Sequence, residues 1–295
     1  MRLETETGYI VSKQTVLYGY SKHLGEYAVA SVVNELLADG AELQNIGIDI
    51  RIEIPVYGYT SRIHGLEKSV KALCKEKGIR LLQVEGKKNP ALRFAQMMVQ
   101  GIASVKKESV CSETECIKAG QDIVLTKWIG MEGMLRITEE REEELRKRFS
   151  GGFMNRIFSY RKELFAEQEI SVARQAGAAA LYQITEGGVL AALWELAKRA
   201  ETGISLDMKA ISVLQETVEV CEHFRLNPYQ LTSVGSFLVV TDNGEELCEK
   251  LSEQGIKASL VGRITDNNDK IIRNGEEIRY IDRPAPDEIF KIFGN

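Results

Sequence analysis

The chain has 295 residues, of which 44% are hydrophobic and 27% charged, with a formal net charge of −5. This is ordinary globular composition, with enough apolar material for one large core or two smaller ones. Mild acidity argues against nucleic acid as a partner, because a phosphate backbone calls for a basic face and the best basic run is only Lys87-Lys88. No apolar run approaches the ~20 residues of a membrane span, so no membrane partner is expected.

The five cysteines are Cys74, Cys111, Cys116, Cys221 and Cys248. Only Cys111 and Cys116 lie close together, and no second pair or nearby His completes a zinc pattern. With no recognisable secretory signal, the expectation is a cytoplasmic chain with reduced thiols. Three histidines, His23, His64 and His223, exclude a His-rich metal site.

Taken in order, 8–17 alternates loosely and reads as a strand, and Tyr18 to Ser21 as a turn. Leu24, Ala28, Val32 and Leu36 recur at helical spacing over 24–38, and Asp39-Gly40-Ala41 ends that helix. The clearest strand is 46–54, where Ile alternates with Gly, Asp, Arg and Glu and Pro55 follows. One face of it is buried and the other is polar or at an interface. A helix over 61–77 stops at Gly78. A strand over 79–84, a polar loop over 85–90 and a strand over 94–105 follow. The polar stretch 106–120 reads as a linker.

Beyond it, 122–128 reads as a buried strand and 139–149 as a charged, solvated helix. Another helix starts over 170–176. Strands are expected at 203–206, 237–241 and 257–261, and helices at 216–224, 244–253 and 287–293. Asn274-Gly275 between Ile271-Ile272 and Ile278 predicts a hairpin turn.

The segment from Tyr182 to Ala197 combines a strand end, a Thr185-Glu186-Gly187-Gly188 turn and a helix with Leu190, Leu193, Trp194 and Ala197 on one face. Two glycines let backbone amides approach a ligand. A helix start presents unpaired N–H groups and partial positive charge, which suit phosphate or carboxylate. The plainer alternative is a compact turn that only Gly fits.

Four separated motifs carry a resemblance. They are Gly120 to Gly133, with Lys127-Trp128-Ile129-Gly130-Met131-Glu132 at its centre; Thr185-Glu186-Gly187-Gly188; Ser233-Val234-Gly235-Ser236; and Val261-Gly262-Arg263-Ile264. In this order the chain resembles the aminoimidazole ribonucleotide synthase (PurM-like) superfamily, its AIR synthase-related branch and the hydrogenase-maturation HypE proteins. A looser match runs from Leu24 to Ala41.

The resemblance implies a two-domain α/β (α+β) fold: an N-terminal domain over 1–106 and a C-terminal α/β sandwich over 120–295. It also implies that the N-terminal sheets of two chains pair into an intersubunit β-barrel. It implies ATP with magnesium as cofactors, and activation of an amide or acid oxygen by phosphorylation. The acidic positions of the family pattern are mostly replaced. Nothing like Gly-Asp-Asp-Ala precedes Gly8, His23 and Gln14 or Thr15 stand at Asp positions, and Tyr182-Gln183 replaces His-Asp. Glu35 is the conservative change, and Val84 to Asn89, with Glu85, Lys87 and Lys88, replaces the phosphate-side loop. No Cys follows Cys248, where hydrogenase-maturation proteins end in a reactive Cys.

The expectation is therefore a member degenerate at its ATP-magnesium site, a pseudoenzyme acting as a binding or subunit protein. It would be a homodimer, or a heterodimer with an intact paralogue. Its small anionic ligand would be held by Thr185, Glu186, Gly187 and Gly188, with Ser233, Gly235 and Ser236 opposite and Lys127 adding charge. No metal is assigned in that reading. The alternative is an ATP-dependent enzyme that holds magnesium through Glu35, Glu85 and Glu186. In a third reading all these motifs are packing features of the fold.

Overall fold

The computed structural model describes residues 1–107 and 116–293. The chain divides into two compact units, residues 1–110 and 111–295.

In the first unit, strands β1 (Arg2–Thr5), β2 (Gly8–Gly19), β3 (Gly47–Pro55), β4 (Arg80–Asn89) and β5 (Ala95–Lys106) form one sheet in the order β1-β2-β5-β3-β4. Helices α1 (Leu24–Ala38) and α2 (Thr60–Lys77) pack on it. The Ile alternation on β3 works as expected: Ile48, Ile50, Ile52 and Ile54 are fully buried on the helix side. Helix α1 is buried well beyond its predicted stripe, Tyr27, Val29, Ala30 and Val33 included. Gly101 on β5 makes this possible, since a Cβ there would lie 2.4 Å from Val32 and 2.6 Å from Leu36. Helix α2 ends, as predicted, at Gly78 in the left-handed region.

The expected loop over 85–90 is instead the second half of β4. It pairs with β3 as far as Pro55↔Asn89, so backbone pairing carries the polar residues into an edge strand. Charged side chains suit such an edge because they discourage pairing with another chain. The predicted turn at Tyr18 likewise belongs to β2, which stays paired with β5 up to Gly19↔Ala95.

The second unit holds a seven-stranded sheet made of β6 (Asp122–Thr126), β7 (Ala180–Gln183), β8 (Gly203–Asp207), β9 (Phe237–Thr241), β10 (Ala258–Thr265), β11 (Lys270–Asn274) and β12 (Glu277–Tyr280). Its order is β12-β11-β8-β10-β6-β9-β7. The pairings are antiparallel except β8 with β11. The Asn274-Gly275 hairpin forms as predicted. The charged helix expected over 139–149 is α4 (Glu142–Arg148), and before it, broken off at Arg141, runs the largely buried α3 (Met131–Glu140), which was not foreseen. Helix α5 (Gly151–Ser159) was not foreseen and is capped by the Ser150 hydroxyl. Helices α6 (Glu167–Gln175), α7 (Gly188–Arg199), α8 (Gln215–Phe224), α9 (Gly244–Glu253) and the short α10 (Phe290–Phe293) complete the unit.

Helix α7 packs Val189, Leu193, Leu196 and Ala197 into the core against Ile123, Leu125, Leu238 and Val240. Leu190 and Trp194, predicted on the same face, sit only partly buried at its margin.

The strand predicted over 122–128 ends at Thr126, because Lys127 has a φ of +56°. Lys127 is buried rather than solvated. Its ammonium meets Glu169 Oε1 at 2.8 Å and donates to the carbonyls of Glu163 (2.6 Å) and Phe165 (3.2 Å). Three of the thiols, Cys74, Cys221 and Cys248, are free, but Cys116 is disulfide-bonded, against the expectation of reduced thiols throughout. Cys111 and most of the expected linker lie outside the described residues. No helix among the described residues is long and apolar enough to cross a membrane.

Lys127→Met strands the buried Glu169 carboxylate without its partner. The expected loss is about 3–5 kcal/mol of unfolding free energy, measured by chemical denaturation.

Candidate functional site

Strand β7 ends at Gln183 and the chain turns through Thr185 and Glu186 into two left-handed glycines, Gly187 (φ +84°) and Gly188 (φ +68°). The two have separate reasons to be glycine. A Cβ on Gly188 would lie 2.6 Å from the Tyr229 carbonyl and 2.7 Å from the Leu231 nitrogen, so the start of α7 is pressed on the 229–231 segment. A Cβ on Gly187 would crowd Ala191 and reach the Ala285 carbonyl at 3.5 Å.

The turn's donors are engaged from within. Gly188 N–H donates to the Thr185 carbonyl at 3.1 Å. Gly187 N–H donates at 2.8 Å to Oδ2 of Asp287, one hundred residues away. The other oxygen of Asp287 accepts from Ile289 N–H at 2.9 Å, and the side chain is only 2% exposed. A carboxylate of the chain itself thus accepts the N–H at the start of this helix.

Around it lies a buried charged group from α3. Glu132 is fully buried and pairs with Arg136 at 3.1 Å through Oε1. Its Oε2 is buried without a hydrogen-bond partner among the described residues. Burial pushes the Asp287 carboxyl up to about 6, Glu132 pushes the same way, and the two N–H bonds and Arg136 oppose it.

The C-terminal segment is tied down further on. Glu288 accepts from Asn227 N–H at 3.2 Å and from Lys291 at 2.7 Å, and Arg141 donates to the Ile292 carbonyl at 2.8 Å. Between β12 and this anchor, residues 282–286 form an exposed arch. The arch, Gly187, Leu190, Tyr229 and Tyr280 enclose a cavity of about 370 Å³, with Arg279 and Arg283 also on its wall. That is a small-metabolite volume.

The structure brings the Ser233-to-Ser236 motif beside the turn, since Ile184 N–H donates to the Ser236 carbonyl at 2.9 Å. The hydroxyls face elsewhere. Ser233 Oγ accepts from Gly130 N–H at 2.5 Å and donates to the Leu231 carbonyl, and Ser236 Oγ donates to the Trp128 carbonyl at 2.8 Å. Gly235 (φ +95°) lies against the carbonyls of Glu163 and Leu164. Lys127 is committed to Glu169. Thr185 is half-buried and Glu186 exposed.

In the first unit, Glu35 lies 3.8 Å from Lys13, and Lys13 also meets Asp39 at 3.1 Å. Lys13 pairs with Gly101 on the helix-covered face. Glu85 and Lys87 pair with Arg51 and Glu53 on the opposite face, where Lys87 meets Glu53 at 2.9 Å. Lys88 donates to the Val56 carbonyl at 3.1 Å. The sheet therefore separates Glu35 from Glu85. Among the described residues no group of three or more His, Cys, Asp or Glu side chains is arranged to hold a metal ion.

Asp287, Glu132 and Arg136 were not singled out from sequence. The i, i+4 spacing of Glu132 and Arg136 was a legible ion-pair signal. Asp287 after Pro284-Ala285-Pro286 signals only a helix start, and nothing local ties it to Gly187.

Comparison with known proteins gives the family. Residues 118–274, more than half of the chain, match the AIR synthase related protein family, C-terminal domain, and the chain belongs to that family. A Methanocaldococcus jannaschii protein named for hydrogenase expression/formation is 22% identical over 276 residues, 91% of this chain and 78% of its own length. Escherichia coli HypE, a hydrogenase maturation protein, superposes with a TM-score of 0.75 at 16% identity, over 97% of this chain and 90% of that one. A HypE structure in complex with ATP gives 0.73 at 15% identity, over 99% and 89%. The fold is thus PurM-like.

Two outcomes follow for the turn. Gly188→Ala is expected to cost more than 2 kcal/mol, since a left-handed Cβ would strike backbone rather than a movable side chain, measured by urea unfolding. For Asp287, the folded-state value lies above the ordinary 3.8, so the folded chain holds the proton longer and stability falls as pH rises from about 4 to about 6. Removing the charge is worth about 3 kcal/mol above pH 6, and the single amide oxygen gives up one of the two N–H bonds at about 1 kcal/mol, so Asp287→Asn is expected to be about 2 kcal/mol more stable than the parent above pH 6 and to lose that advantage toward pH 4 in paired melting curves.

Proposed function

We propose that this chain is a dimeric family member that binds a small anionic ligand at the Gly-Gly turn of its second unit, and that its ATP-magnesium site is degenerate. The observation that carries the second part is the placement of Glu35 and Glu85 on opposite faces of one sheet. Magnesium requires near-octahedral oxygen ligands about 2.1 Å away, and two carboxylates on either side of a sheet do not converge on one ion. Lys87 and Lys88, bound to Glu53 and Val56, offer point charges without the geometry that phosphoryl transfer needs.

The anionic-ligand reading is supported by the 370 Å³ cavity beside Gly187, which joins apolar walls to Arg283 and a half-buried tyrosine. The ligand would place an acidic group toward the turn and an apolar body along Leu190 and Tyr229. On this reading the chain is a binding or subunit protein.

Dimerisation is supported by the open face of the five-stranded sheet. Leu3, Ile10, Leu82 and Ile102 are each more than a third exposed there, around a 340 Å³ groove that also takes in Gly47 and Arg80. A partner sheet, from a second copy or from an intact paralogue, would cover them. The second reading, an ATP-dependent enzyme activating an amide or acid oxygen of a small metabolite, draws on the shared fold with a HypE structure that holds ATP.

Calorimetric titration with ATP, with and without magnesium, separates the two. The expected result is no magnesium-dependent binding and no effect of Glu35→Ala. Tight magnesium-dependent binding that Glu35→Ala weakens would establish the enzyme instead. In sedimentation, Ile102→Glu is expected to shift a dimer to a monomer.

A further inference from the structure

We propose that the end of the first unit formed by segments 55–59 and 89–94 is a docking surface for an extended acidic segment of another protein. The surface lies away from the Gly-Gly turn and does not depend on the anionic-ligand reading.

It is aromatic and preformed. Among the described residues the exposed aromatic side chains are Tyr20, Tyr57, Tyr59, Tyr280 and Phe290, and the first three lie at this one end. Beside them Val56 is 53% exposed, and Tyr59 reaches 82%. The hydroxyls of Tyr57 and Tyr20, 36 and 73 residues from Arg93 in sequence, both donate to the Arg93 carbonyl. The Tyr20 ring meets Phe94 edge-on at 5.5 Å. The segments are thereby fastened together while their rings stay exposed. Tyrosines held in this way give a large contact area with little further loss of side-chain freedom, which is what interface anchors provide. Fastening the loops accounts for the two hydroxyls. It does not account for Val56 and Tyr59, which add contiguous apolar surface.

The charge at this end has one sign. Arg62 lies over the Tyr20 ring at 5.3 Å and donates to the Gly19 carbonyl at 3.1 Å. Lys88 donates to the Val56 carbonyl at 3.1 Å, and Arg93 lies over the Phe94 ring at 5.4 Å. Among the described residues neither Lys88 nor Arg93 meets a carboxylate. The acid on the adjacent strand, Glu53, is taken by Lys87 at 2.9 Å and by Asn89. A second copy meeting this end in a two-fold contact would set these cations against themselves. Three cations on a chain of net charge −5 are too few to track a phosphate backbone. The complement is a run of Asp or Glu that also carries apolar side chains. Its carboxylates would face Arg93 and Lys88, and its apolar groups would lie on Val56, Tyr57 and Tyr59. Aromatic surfaces of this kind receive extended, proline-bearing segments, whose ordering costs little on binding.

The test uses the full chain and three fluorescent probes read by anisotropy in low salt. They are a short peptide repeating Glu, Pro and Leu, the same peptide with Lys for Glu, and an oligouridylate. The parent is expected to bind the acidic peptide at least ~10-fold more tightly than the basic one, and less tightly as salt is raised. Arg93→Glu and Tyr59→Ala are each expected to weaken that binding by ~10-fold or more. Both side chains are exposed, so both variants are expected to melt with the parent. Failure of the parent to bind the acidic peptide, or binding that both variants retain, would overturn the docking surface. Tighter binding of the oligouridylate would overturn it in favour of nucleic acid. Loss of a dimer in sedimentation on Arg93→Glu would assign this end to a second copy instead.

Discussion

The geometry of the second unit depends on one close approach, that of the first turn of α7 to the 229–231 backbone. Gly188 has no side chain because a Cβ there would meet backbone atoms from Tyr229 to Leu231. That contact sets where α7 begins, and therefore where Gly187 presents its N–H. Once this donor lies at a buried helix start it requires an acceptor, since an unpaired buried amide is costly. Asp287 supplies one at the expense of burying a carboxylate, which shows as its raised proton affinity. The C-terminal segment and the cavity wall before it follow from that exchange.

Neighbouring motifs serve the same geometry. Ser233 and Ser236 spend their hydroxyls on Gly130 and Trp128, and Lys127 spends its charge on Glu169. Residue types that suit anion recognition also suit the holding of irregular backbone, because both tasks need donors and acceptors at fixed positions. Here the loops carrying Gly130, Glu163 and Gly235 converge behind the turn. The polar side chains nearest to it are occupied in joining them.

The first unit shows a different division of labour. One face of its sheet is sealed by α1 and α2, with Gly101 admitting α1 at close range. The other face mixes Ile10, Ile102 and Leu82 with polar side chains, too apolar for a purely solvated surface and too polar for a core. The unit's carboxylates are divided between the two faces, Glu35 over the side that α1 covers and Glu85 on the open side.

Much of this was legible in local pattern. The Ile alternation of β3, the helical spacing of α1, the Gly78 stop and the Asn274-Gly275 hairpin are short-range signals, and each forms where the pattern placed it. The four family motifs named the fold because they fix glycines where a side chain does not fit, in the turns at Gly130, Gly187-Gly188 and Gly235 and inside β10 at Gly262, where a Cβ would lie 2.4 Å from the Ser205 carbonyl. Local pattern failed where partners decided. Polar residues 85–89 became a strand because β3 was there to pair with, and Lys127 became buried because Glu169 was there to meet it. The Gly187 donor is the clearest division between the two levels. Two adjacent glycines determine that the turn presents a donor, a property of backbone conformation alone. Only the tertiary structure determines what receives that donor, because Asp287 lies one hundred residues away and reaches it through the path of the whole second sheet.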